Sequence, residues 1–190
     1  MSKQWKLITK SKKQYYRICI CGLTRNLPLF EVGSGVKIAI LNILGDTEFV
    51  KKTGVALAKK LPKADVLATA EVKSVPLVYE IARKLNLPYV VLRKIVKPYM
   101  LGAVKSTVTT ITTGKPQDLW LDGKDKSLLK GKRVILIDDI VSTGATLHGM
   151  RKLVKKAEGI IVAEAAIFTE GDPKVWKSII SLGNLPVFEN

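Results

Sequence analysis

Two adjacent carboxylates, Asp138 and Asp139, are followed closely by Ser142, Thr143, Gly144, Ala145 and Thr146 in the run DDIVSTGAT. Gly144 permits a tight backbone approach. The hydroxyls beside it, at the expected start of a helix, favour a phosphate, because free N–H groups at a helix N-terminus meet negative charge. Carboxylates next to such a cradle repel the same ligand unless they serve hydroxyl groups or a metal ion. A ribose 5-phosphate fits both halves, with a phosphate at one end and a vicinal diol that donates to carboxylates. His148 falls in the helix that follows, and reads as a helix-face residue rather than a catalytic one.

The elements that must position these residues follow from the apolar pattern. Val134 to Ile137 is an unbroken aliphatic run entering the two aspartates, as a central parallel strand does at its carboxyl edge, where open α/β sheets bind ligands. Further strands are expected at Tyr15 to Leu23, Ala64 to Thr69, Tyr89 to Leu92, Leu119 to Leu121 and Ile160 to Phe168. Helices are expected from Asp46 or Thr47 to about Leu61, from Leu77 to Leu85, and after the turn at Thr143 to Glu158. Thr24 to Gly35, with its Pro and Gly, reads as a turn or irregular extension before a second apolar run at Val36 to Leu44. Lys94 to Gly114 is a polar excursion or mobile hairpin, and the last twenty residues, with Trp176 and Leu185 to Phe188, an accessory lobe. The alternation predicts an α/β fold with a central, mostly parallel sheet flanked by helices. At 190 residues the chain is expected to form one domain, 1–190.

Composition narrows the partners. Thirty-two Lys and Arg against sixteen Asp and Glu give a net charge of +16, which attracts polyanions. The lysines are scattered in pairs without aromatic interleaving, so a ligand with several phosphates explains the surplus as well as nucleic acid does, and nucleic acid is not required. The apolar stretches fall short of the roughly 20 residues of a membrane span, and the N-terminus lacks a signal-peptide core, which points to a cytoplasmic chain without a membrane partner. Cys19 and Cys21, at alternate positions of the first expected strand, would project from one face as reduced thiols; no other cysteine is available for a zinc site.

The thirteen residues VILIDDIVSTGAT, Val134 to Thr146, resemble the 5-phosphoribosyl 1-pyrophosphate (PRPP) signature of the type I phosphoribosyltransferases at every position. The resemblance implies the fold of that family, with a small hood from about 1–45 and 170–190. It implies that Asp138 and Asp139 bind the ribose hydroxyls while Ser142 to Thr146 wrap the 5-phosphate. Glu71, Val72 and Lys73, with Ala70 before them, resemble the short pyrophosphate loop of the adenine enzymes, Ser74 standing where the family has glycine. Arg93, Lys94, Lys97 and Pro98 resemble the basic run that meets pyrophosphate in the same enzymes, and the Lys94 to Gly114 excursion their lid. Asp138, Asp139 and Lys73 are thus the expected catalytic residues. Mg²⁺ is the expected cofactor, carried by PRPP and reaching Asp138 and Asp139 through water rather than through direct protein ligands. The chain is expected to act as a homodimer on PRPP and a purine base.

For the base, hypoxanthine and guanine enzymes resemble one another in placing an acid where this chain has Ser142, and adenine enzymes place a small residue there. That favours adenine. The Thr107 to Thr113 region instead looks more like the Ser/Thr-rich loop of xanthine enzymes. Phe30 is a candidate for stacking on the base and Asn42 for hydrogen bonding to it, both from the hood segment Leu29 to Leu44. The alternatives are a xanthine or hypoxanthine/guanine enzyme, or a PRPP-sensing regulator that binds nucleic acid.

Overall fold

The computed structural model describes residues 14–33, 35–109 and 116–189. Its centre is a five-stranded, wholly parallel sheet of β4 (Val66–Ala70), β5 (Tyr89–Leu92), β8 (Arg133–Val141), β9 (Ile160–Glu170) and β10 (Ile180–Leu185), in the order β10-β9-β8-β4-β5. Alternate side chains of each strand feed two cores, as the two-residue period of a strand requires. Leu67, Ile135, Ile137 and Ile167 pack toward α1 (Thr47–Ala58) and α2 (Val75–Leu85). Val66, Ala68, Val134 and Leu136 pack toward α4 (Ala145–Lys156) and the short α3 (Lys126–Leu129).

A second, antiparallel sheet forms the hood: β1 (Tyr15–Ile20), β2 (Leu23–Gly33), β3 (Val36–Ala39) and β11 (Val187–Phe188), in the order β1-β2-β3-β11. A two-stranded ribbon, β6 (Val104–Thr109) and β7 (Pro116–Leu121), stands beside the central sheet, tied to it by backbone hydrogen bonds between Arg93 and Trp120. β6 lies within the expected excursion, and β7 contains the expected strand at Leu119 to Leu121. Part of the Thr107 to Thr113 segment and most of the N-terminus read for a signal peptide fall on 110–115 and 1–13, outside the described residues.

Four expectations are corrected. Thr24 to Gly35 is not irregular but most of a strand, β2, with Leu23 and Leu27 buried against the hood. Its Pro28 lies one residue past the last β2–β3 rung, where its missing N–H is not needed, and its carbonyl accepts from Ile40 N at 2.9 Å. Cys19 and Cys21 do not share a strand face: Cys21 and Gly22, with φ of 52° and 73°, make the two-residue turn between β1 and β2. The last residues are not a separate lobe, since β10 extends the central sheet and β11 joins the hood. The strand before the signature loop does not stop at Ile137, because β8 pairs with β9 through Asp138↔Ala166 and on to Val141↔Thr169. The helices match more closely. Asp46 caps α1 by accepting from Phe49 N at 3.1 Å, although the helix ends at Ala58 rather than Leu61.

Candidate active site

β8 delivers Asp138 and Asp139, 7% and 5% exposed, to the carboxyl edge of the sheet. Two acids in so dry a place need donors. Ser74, at the start of α2, supplies one: its Oγ lies 2.8 Å from Asp138 Oδ1 and 3.1 Å from Asp139 Oδ1, and accepts from Asp139 N at 2.9 Å. Lys73 Nζ supplies charge, 2.9 Å from Asp139 Oδ2. Burial, then the neighbouring charge of Asp139, pushes the Asp138 carboxyl above its ordinary range, and the Ser74 hydroxyl offsets part of that rise.

The loop after β4 and the basic run after β5 are clasped together. Glu71 pairs with Arg93 Nε at 2.6 Å and accepts from Lys94 N at 2.5 Å, so both its oxygens serve the protein. Glu71 thus holds Arg93 and the Lys94 backbone in place.

A cavity of about 590 Å³ opens between the hood and the carboxyl edge. Of the residues singled out from the sequence, Phe30, Glu71, Val72, Lys73, Lys94, Asp138, Asp139, Ser142 and Thr146 line it. A smaller hollow of about 80 Å³, lined by Asp138 and Ile140 to Leu147, continues from it beneath the signature loop. At about 30 Å³ per water, that is room for a few waters or one tetrahedral anion. Thr143, Gly144 and Ala145 wall the hollow without reaching the larger cavity. Arg93, Lys97 and Asn42 do not line either space. Asn42, the other expected base contact, is exposed and accepts from Leu44 N through its Oδ1 at 3.2 Å. Phe30 remains on the wall, 62% exposed.

Gly144 precedes α4 with φ +73°, and an added Cβ would come within 3.0 Å of the Trp176 ring. Trp176 is fixed in turn by its Nε1, which donates to Glu170 O at 2.9 Å. Gly144→Ala is therefore expected to displace the loop and to weaken ribose 5-phosphate binding roughly tenfold by calorimetry, in line with about 1–2 kcal/mol of left-handed strain.

Glu170 itself was missed in the sequence. It closes β9, is 6% exposed, lines the larger cavity, and accepts a hydrogen bond from Ser142 Oγ. The signal was available: β9 runs parallel to β8, so its last residue reaches the same carboxyl edge as the signature loop.

The phosphoribosyl transferase domain family matches residues 47–179. Hypoxanthine/guanine phosphoribosyltransferase of Methanococcus voltae is 34% identical over 110 residues, which cover 58% of this chain and 55% of that protein. The purine biosynthesis transcriptional activator PurR of Lactococcus lactis subsp. lactis is 25% identical over 161 residues, 80% of this chain and 58% of that protein. The chain thus spans less than two thirds of the length of either. The adenine phosphoribosyltransferase structure from Thermoanaerobacter pseudethanolicus superposes with a TM-score of 0.65 at 23% identity, covering 90% of this chain and 95% of that one. The one from Rhodothermus marinus gives 0.66 at 18%, covering 90% and 94%. At these identities the two structures establish the fold.

Proposed function

The chain belongs to the phosphoribosyl transferase domain family, and from that premise we propose that it transfers the phosphoribosyl group of PRPP to a purine base, with adenine the favoured acceptor. The observation that carries the transfer is the juxtaposition of a buried diacid, a small anion-sized hollow and Lys73 around one cavity. The 5-phosphate sits in the Ser142 to Thr146 hollow, and the ribose hydroxyls donate to Asp138 and Asp139. Lys73 and Lys94, with Arg93 behind them, take up the charge of the departing pyrophosphate. No covalent intermediate is needed: the base nitrogen approaches the anomeric carbon as the pyrophosphate leaves, and the side chains position both and stabilise the charge that develops. The oxygen-rich diacid suits Mg²⁺, which when carried in by PRPP supplies further neutralisation of the leaving group, with Asp138 and Asp139 facing it through water. The Lys94 to Gly114 segment, which carries the basic run and β6, is the proposed lid that keeps water from the reacting sugar.

Adenine is favoured because the cavity wall near Ser142 carries a carboxylate, Glu170, and apolar residues, whereas its lining cations, Lys73 and Lys94, belong to the pyrophosphate side. A 6-oxopurine asks for a donor where adenine asks for an acceptor. For the homodimer, the support is a set of exposed apolar side chains, Ile95, Tyr99 and Leu101, each more than 60% exposed, on the segment between β5 and β6.

The direct test incubates the protein with PRPP and Mg²⁺ and each of five bases, and follows pyrophosphate and nucleotide. Adenine is expected to give the highest kcat/KM; a higher value for hypoxanthine, guanine or xanthine overturns the choice of base and leaves the transfer standing. A second reading is favoured by the alignment with PurR over 80% of the chain together with the +16 charge: a PRPP-responsive regulator. PRPP binding with no reaction of any base would make it the leading one.

A further inference from the structure

Glu170 is a buried acid that the ribose and phosphate machinery leaves unused. It belongs to the wall of the larger cavity and not to the small hollow under the signature loop. The same cavity is also lined by Phe30, Ile38, Ile40 and Ile140, a setting suited to an uncharged planar ligand. Ser142 Oγ donates to Glu170 Oε2 and so fixes the carboxylate, while Oε1 has no hydrogen-bond partner among the described residues. Below it, Trp176 holds the backbone of the same residue, so the acid stands on a braced strand end rather than a free loop.

We infer that Glu170, oriented by Ser142, determines which base is accepted, taking a hydrogen bond from an exocyclic amino group of an aminopurine. A 6-oxo group at that position would set its lone pairs against the carboxylate in a desolvated wall, which supplies discrimination by repulsion as well as by attraction. Ser142 is the positioning residue, since its hydroxyl acts on the base only through Glu170. The inference rests on the transferase reading for the purpose of the base, but it concerns recognition and is read separately from turnover.

The experiment measures equilibrium affinities of AMP, IMP and ribose 5-phosphate for the wild-type chain and for Glu170→Gln and Glu170→Asp. The wild type should bind AMP about tenfold or more tightly than IMP, a difference one hydrogen bond supplies. The amide of Glu170→Gln can turn its NH₂ to a 6-oxo group, so the AMP:IMP ratio should fall to about one or invert, since its neutral donor matches what IMP offers. Glu170→Asp, which withdraws the carboxylate by one methylene, should also lower the ratio and serves if the Gln variant does not fold. Ribose 5-phosphate affinity should change less than the AMP:IMP ratio does, because Glu170 reaches the phosphate hollow only through Ser142. Equal affinity of the wild type for AMP and IMP, or an unchanged ratio in a folded variant that still binds ribose 5-phosphate, overturns the inference. Absence of pyrophosphate release with every base, alongside a ratio that follows Glu170, would instead sink the transferase reading and leave this one standing.

Discussion

Asp138→Asn with Asp139→Asn is expected to lower kcat/KM for PRPP by roughly a hundredfold or more, since each carboxylate loses a charge-assisted hydrogen bond worth about 1.5–3 kcal/mol. The folded state should survive the change. In the free protein the Asp138 carboxyl is held above its unfolded value of 3.8 by burial and by Asp139. The native state therefore binds the proton more tightly, so this group's contribution to stability is fully present below pH 3.8 and is lost as pH rises through the folded value. The single variant Asp138→Asn removes that loss. Its melting temperature relative to wild type should accordingly be higher at pH 8, with the gap narrowing toward pH 4. Loss of activity joined to a gain in thermal stability is a signature that a merely structural acid would not give. A folded double variant with unchanged PRPP turnover and affinity would remove the diacid from the binding site.

The second large effect is expected at Ser74. Its hydroxyl contacts both carboxylates and accepts from Asp139 N while being 2% exposed, so Ser74→Ala strips Asp139 Oδ1 of its hydrogen-bond partner and leaves Asp138 Oδ1 and Asp139 N only each other. Urea denaturation should show a loss of about 1–3 kcal/mol, the cost of an unsatisfied buried group. Ser74→Gly should lose at least as much, although glycine is what the family resemblance has at this position, because the missing hydroxyl and not the backbone is what the carboxylates need. A Gly variant as stable as wild type would show that the diacid is satisfied by other means. With Asp138→Asn in the background, the cost of Ser74→Ala should shrink, since one of the two acids it serves is then neutral.

The part of the site carried by local chemistry was legible in the sequence. Aliphatic residues before two acids, then hydroxyls around a glycine, define β8, the buried diacid and the loop that walls the small hollow without reference to anything distant. What depends on contacts between remote segments was not. Glu170 meets Ser142 only because β8 and β9 pair in register, and Glu71 meets Arg93 only because β4 and β5 end side by side. The strand β10 was obscured by Gly183, which weakens a strand pattern in isolation. In the fold a Cβ there would lie 3.0 Å from the Phe168 ring, so the small residue is dictated by a neighbour on β9. Pro28 misled for the same reason, since the absence of a donor matters only once it is known where β3 stops.

The contact between Lys73 and Asp139 has a consequence for selectivity. Before any ligand arrives, the cation assigned to the pyrophosphate and the anion assigned to the ribose neutralise each other. A ligand with pyrophosphate but no diol would draw Lys73 away and strand a dry carboxylate beside its twin; a ligand with a diol but no pyrophosphate would crowd the acid while offering the lysine nothing in return. Only a molecule bearing both groups at the right separation satisfies both sides when the pair parts. On the proposed assignment the pair thus acts as a graded conjunction: ribose 5-phosphate and pyrophosphate each bind alone, and a ligand carrying both is expected to bind more tightly than either.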